Sequence, residues 1–87
     1  MRLYRLDSPQ HHGPYGERAR QLLVQHGIPF QDHRLTSQEE AERFKASWGV
    51  ASTPQVYAGS ERIGGASELE TRLGRWARAG VASWAWR

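Results

Sequence analysis

The sequence predicts an α/β domain in which a four-stranded mixed sheet is flanked by helices, in the order β-α-β-α-β-β-α. Three observations predict it. An alternating strand pattern at the amino terminus is separated from a second strand by one helix-length apolar stripe, the signature of a parallel βαβ unit. Two Ser-x-x-Glu boxes, at 37–40 and 67–70, each open a run of apolar residues at helical spacing. Between them, two short strand-like runs flank Gly59 and Ser60, as in a β-hairpin.

Taken in order, Leu3, Tyr4, Arg5 and Leu6 alternate in the β manner, and Asp7-Ser8-Pro9 ends the strand. A long loop is expected through Gln10, His11, His12 and Gly13. Pro14 suits the first turn of a helix because its φ is fixed. Ala19, Leu22, Leu23 and His26 follow at helical spacing, Gly27 supplies a left-handed stop and Pro29 lies beyond, so the first helix is expected over 14–26. A second strand over 28–35 holds Phe30 and Leu35. Ser37 and Glu40 open the second helix, with Ala41, Phe44 and Trp48 as its stripe and Gly49 at its end. After a turn over 50–54, Gln55-Val56-Tyr57-Ala58 and Glu61-Arg62-Ile63 form the hairpin strands. Gly64-Gly65 breaks the sheet. Ser67 and Glu70 are expected to cap the last helix, which carries Leu69, Leu73 and Trp76 on one face and Arg75 and Arg78 near the negative end of its dipole. The tail over 81–87 carries Trp84 and Trp86.

A chain of 87 residues makes one domain, expected over 1–87, that buries roughly 60–65% of its unfolded surface. No stretch approaches the roughly 18 apolar residues of a membrane span, and Met1-Arg2 leads into polar sequence, so a soluble, unexported, cytoplasmic protein is expected. The formal charge of +3 comes from arginines interleaved with acids. This favours a mildly anion-attracting surface and disfavours nucleic acid, which would want a basic stripe with interleaved aromatics. There is no cysteine. The thiolate is the species that attacks a disulfide, so no side chain of these residues performs thiol–disulfide exchange.

Gly13-Pro14-Tyr15-Gly16, then Arg18-Ala19, Leu22-Leu23 and Gly27-Ile28, together with Ser52-Thr53-Pro54-Gln55 and Ile63-Gly64-Gly65, form an ordered set. In this set the chain resembles the glutaredoxin family of the thioredoxin-like superfamily over nearly its whole length. That family opens its first helix with Cys-Pro-Tyr-Cys, carries a cis-proline in Thr-Val-Pro-Gln, and has Ile-Gly-Gly before its last helix. The resemblance implies a thioredoxin-like (glutaredoxin) fold. Two departures bear on function: both cysteine positions are glycine, and the loop before the motif is longer than the family's usual one. An alternative register sets Ser8-Pro9-Gln10-His11 at the motif, but it puts Gly13-Pro14 inside a helix, which proline disfavours.

The resemblance implies a groove of Gly13, Pro14, Tyr15, Gly16, Ser52, Thr53 and Pro54, completed by Gly65, Ala66, Ser67 and Glu68, that would bind glutathione or an extended peptide. A cis Thr53–Pro54 turn would expose the Thr53 backbone to the cysteinyl part of the ligand, as the family does. The helix start around 66–68 would receive a γ-glutamyl carboxylate, with Ser67 and Glu68 where the family has an acidic pair. The plain alternative is that Ser67 caps a helix and Pro54 shapes a turn. No catalytic residue, required cofactor or metal is expected, with glutathione as the ligand such a groove would admit. Two rival readings belong to other classes. One is a cysteine-independent, transferase-like glutathione enzyme in which the Tyr15 or Ser8 hydroxyl holds the thiolate, although such enzymes use a second, helical domain. The other is a structural interaction domain in which Trp76, Trp84 and Trp86 meet a protein partner or a second copy of the chain. His11 and His12 are adjacent, and adjacent side chains generally point apart; neither His26 nor His33 stands at a ligand spacing, so these histidines are expected to be polar surface. An iron–sulfur cluster would need the motif cysteine.

Overall fold

The computed structural model describes residues 1–9 and 11–78. It holds β1 (Arg2–Ser8), β2 (His11–His12), α1 (Pro14–Gln25), β3 (Gln31–Leu35), α2 (Gln38–Trp48), β4 (Gln55–Ala58), β5 (Glu61–Gly64) and α3 (Ala66–Arg78). Strands β3, β1, β4 and β5 lie side by side as the expected four-stranded mixed sheet. β1 runs parallel to β3, from Arg2 opposite Gln31 to Leu6 opposite Leu35, and antiparallel to β4 on its other side. The βαβ unit β1-α1-β3 accounts for the parallel pair.

Alternation along the strands divides the side chains between two faces. Leu3 and Val56 point to the face covered by α1 and α3, where they pack with Leu22, Leu23, Leu69 and Leu73 into the main core. Tyr4 and Tyr57, one position on in each strand, point to the face covered by α2. There Tyr4 stacks on His33 and Phe44, with ring centroids 4.6 and 4.7 Å apart, and Trp48 lies 5.0 Å from Tyr57. The core under α1 and α3 is therefore chiefly aliphatic, with Phe30 and Trp76 packed against it as partly buried residues, and the face under α2 is aromatic. Trp48, expected to lie in the buried stripe of α2, keeps 42% of its surface exposed, whereas Ala41 and Phe44 are buried.

The helix ends follow local chemistry. At the end of α1, Ile28 N–H donates to Leu23 O and Gly27 N–H to Val24 O, both at 3.0 Å, with Gly27 at φ 65°. This is the paired bonding of a Schellman stop, and it leaves His26 beyond the helix and exposed. In α2 the Ser37 Oγ accepts from Glu40 N–H at 3.1 Å, and Glu40 reaches back to Thr36 N–H at 2.7 Å. That hydrogen bond holds the Glu40 carboxyl below its ordinary pKa.

Three expectations are corrected. The loop after β1 is a hairpin, because Asp7 and Ser8 prolong β1 and pair antiparallel with His12 and His11 of β2. The strand expected over 28–35 begins only at Gln31, since Ile28 closes the Schellman stop and turns into the core. At α3 the expected Ser67 cap is absent: the helix starts at Ala66, Ser67 lies inside it, and it is Glu68 that reaches back to Gly65 N–H at 2.9 Å. Glu70, the other end of the expected box, instead pairs with Arg18 of α1. The tryptophans at 84 and 86 lie outside the described residues. Among the described residues, no helix is long and apolar enough to cross a membrane.

Candidate functional site

Gly13 is the amino-terminal cap of α1, with φ −64° and ψ 117°, and Pro14 is the first helical residue. No side chain caps this end. The amides of Tyr15 and Gly16 stand in the first turn, where no intrahelical acceptor exists. Tyr15 is 68% exposed and Gly16 is buried. Across from this turn, the Thr53–Pro54 peptide is cis, and Gln55 Nε2 donates to Ser52 O at 3.0 Å, tying the turn to the start of β4.

Between these two segments lies a cavity of about 250 Å³, lined by Leu6, Gly13, Pro14, Tyr15, Gly16, Thr53 and Pro54. Six residues named from sequence share this wall. Ser52, Gly65, Ala66, Ser67 and Glu68 do not line it. Gly65 nonetheless stands close to it, because a Cβ built there would lie 3.5 Å from Pro54 O. Gly64 has φ +119°, and a Cβ on it would come within 2.9 Å of Glu68 Oε1, so glycine is required where the sheet turns into α3. Glu68 thus packs back over Gly64 and Gly65 and takes up an amide at the helix start expected to receive a ligand carboxylate.

The two motif glycines differ in their surroundings. A Cβ at Gly13 would meet only Leu6 O, at 3.4 Å, an ordinary contact at an ordinary backbone conformation. A Cβ at Gly16 would lie 2.9 Å from the Cβ of Arg5. Position 13 has room for a side chain and position 16 has none unless β1 or α1 shifts.

Arg5 was not expected to take part. Its parity along β1 is that of Leu3, so it points toward α1, and its side chain is 11% exposed. Nε and Nη2 donate to the two oxygens of Asp32, each at 2.8 Å, a bidentate charge-assisted pair. Those bonds, opposed by partial burial, raise the guanidinium's pKa. Nη1 lies 3.7 Å from a carboxylate oxygen of Asp7 and 3.7 Å from one of Glu17. Arg20 pairs with Glu17, and hydrogen bonding from Arg20 holds the Glu17 carboxyl below its ordinary pKa. Arg5, Asp7 and Glu17, with Gly13 and Pro14, line a second cavity of about 450 Å³. The sequence signal for Arg5 was a charge on the inward parity of a strand.

Of the other arginines, Arg43 pairs with Glu39 and Arg72 with Glu61. Ser8, the second hydroxyl considered for holding a thiolate, is buried and lines neither cavity. Among the described residues no group of three or more His, Asp or Glu side chains could hold a metal ion. Chemically, the groove offers amides, a phenol, a threonine and apolar walls. It can bind, and it has no group that exchanges a disulfide.

A family model described as glutaredoxin matches residues 14–63. No curated protein matches the chain. Among solved structures, glutaredoxin 1 from Francisella tularensis, complexed with cacodylate, superposes with a TM-score of 0.76 at 19% identity, over 88% of this chain and 94% of that one. The solution structure of glutaredoxin from Brucella melitensis gives 0.68 at 21% identity, over 94% and 87%. The buckwheat glutaredoxin–glutathione complex gives 0.61 at 23% identity, over 91% and 70%. At these identities the likenesses carry the fold.

Proposed function

The chain belongs to the glutaredoxin family, and on that premise we propose that it is a binding module that holds glutathione, or the extended cysteinyl segment of a peptide, without thiol–disulfide exchange. One observation carries this reading. The start of α1 and the cis Thr53–Pro54 turn, far apart in sequence, wall a single cavity of about 250 Å³. Leu6 and Pro54 give its wall apolar surface for a sulfur and its methylene, and Thr53, also in the wall, would offer its backbone for antiparallel pairing. The buckwheat relative, a glutaredoxin–glutathione complex, supports glutathione as the first ligand to try. Glycine at 13 and 16 removes the nucleophile, and at Gly13 it leaves room in which a ligand's own sulfur can sit.

The test is a titration with reduced and with oxidised glutathione to millimolar levels, followed through amide chemical shifts. Saturable shifts at Tyr15, Gly16 and Thr53, with the ligand recovered chemically unchanged, are the expected result. Shifts absent from all three amides would overturn the reading. Turnover of an electrophile with glutathione would replace it with the transferase-like one.

A further inference from the structure

We propose that the outer edge of β3 is an interface between two copies of this chain, paired antiparallel about His33 so that Asp32 of each copy lies opposite Arg34 of the other. The interface is independent of the groove. Among the described residues β3 pairs only with β1, so its other side ends the sheet, and residues 31–34 are all exposed. One hydrogen bond fixes which backbone groups face outward. Gln31 N–H donates to Met1 O at 2.9 Å, and along a parallel strand successive residues turn their N–H and C=O alternately to one neighbour and to the other side. Gln31, His33 and Leu35 therefore serve β1, while Asp32 and Arg34 present their N–H and C=O groups at the edge. The strand holds no proline or glycine, and its register with β1 runs unbroken from Gln31 to Leu35. Such an edge is a template for another strand.

Charge selects the occupant and the register. An isologous two-fold pairing that joins outward groups to outward groups can be centred on residue 32, 33 or 34. Centred on 32, it sets Asp32 against its own copy. Centred on 34, it sets Arg34 against its own copy and calls on the Thr36 N–H, which Glu40 already accepts at 2.7 Å. Like charges directly opposite are destabilising. Centred on 33, Asp32 meets Arg34 twice, both as hydrogen-bonded pairs that exchange N–H and C=O, and His33 meets its own copy as the non-hydrogen-bonded pair between them. Edge charges commonly keep copies apart; here they reject two registers and favour the third. Neither side chain has to leave its present partner. Asp32 accepts one bond from Arg5 on each oxygen, keeps 29% of its side chain exposed, and has a second lone pair on each oxygen. Arg34 is 59% exposed, and its Nη1 lies 3.6 Å from the Asp7 carboxylate, leaving further donors of the guanidinium fork to turn outward. Because β1 runs parallel to β3, the Leu6 ends of the two copies, where the grooves lie, point in opposite directions along the joined sheet.

Sedimentation equilibrium of the full chain from about 10 µM to about 1 mM, the range in which small interfaces assemble, tests this first. A monomer–dimer equilibrium is expected. Arg34→Glu turns both opposed pairs into like charges and should weaken association by about tenfold, each pair changing on the scale of a cross-strand contact, with the fold checked by circular dichroism. The absence of cysteine supplies a second readout, because a single introduced thiol can cross-link only to its own copy. In a non-hydrogen-bonded antiparallel pair the Cα atoms stand about 4.5 Å apart, within disulfide reach, so His33→Cys should form a cross-linked dimer on mild oxidation. Gln31→Cys should not, since the same position of the other copy lies four residues along the strand, about 13 Å away. A chain that stays monomeric throughout overturns the proposal, and so does cross-linking of Gln31→Cys as fast as that of His33→Cys. Association that a folded Arg34→Glu leaves unchanged also overturns it and moves the contact to the tryptophan tail over 81–87. Should Arg34→Glu fail to fold, the cross-linking comparison decides alone.

Discussion

At the scale of single residues, the difference between Gly13 and Gly16 decides what a restored thiol could do. Gly13→Cys should fold with stability close to the parent's. Its thiol, at a helix amino terminus, should titrate below the ordinary value of about 8.5, which the pH dependence of alkylation would measure. Gly16→Cys should lose about 1–3 kcal/mol in urea unfolding, because its Cβ would press on Arg5 and overpacking of a close contact has that cost. Equal stability of the two variants would contradict the geometry. The Arg5 side chain is largely covered and its partner Asp32 partly exposed, so Asp32→Ala should cost about 1–3 kcal/mol, intermediate between exposed and buried pairs. That Gly13, Pro14, Tyr15, Gly16, Thr53 and Pro54 would lie together was legible from the motifs by which the chain resembles its family. Arg5, Asp7 and Glu17 were not, because each is an ordinary charged residue until β1, its hairpin and α1 bring them together.

At the scale of elements, caps and stops separate what the pattern could tell from what it could not. Two Ser-x-x-Glu boxes look alike in sequence, and only the one at Ser37 caps a helix. The second fails because Gly64 at φ +119° and Gly65 already end the strand, so α3 starts earlier and Glu68 supplies the reach-back bond. Ser37→Ala should therefore cost about 1 kcal/mol, whereas Ser67→Ala should change stability by less than about 0.5 kcal/mol, as for an exposed site away from special features. Thermal or urea unfolding of the pair checks this, and similar losses in both would restore Ser67 as the cap. The β1–β2 hairpin was hidden for another reason. Pairing is a long-range property, and the sequence from Asp7 to His12 has turn residues without the apolar alternation that marks a strand.

At the scale of the whole molecule, charge and layering set the response to conditions. Glu17, Glu40 and Glu42 are held below the ordinary carboxylate value of 4.5, chiefly by hydrogen bonds from Arg20, the Thr36 amide and Lys45 respectively. Their folded pKa values are lower than their unfolded ones, so the stability they confer is present above about pH 4.5 and is lost as pH falls through the lowered values. The urea midpoint should be level from neutral pH to about 5 and fall below that. The fall should shrink in high salt, because these groups are exposed. The element order and the sheet were readable because periodicity changes from two to three and six-tenths at each boundary. The allocation of chiefly aliphatic side chains to one face and aromatic ones to the other became visible only once strand register was known. That division also makes the protein its own optical gauge. Trp48 sits within energy-transfer range of Tyr4 and Tyr57, at ring distances of 5.2 and 5.0 Å, on the face that α2 alone covers. The fluorescence difference between the parent chain and Trp48→Phe, excited at the tyrosine band, should therefore register detachment of α2, the subtraction removing the emission of Trp76, which packs against the chiefly aliphatic core.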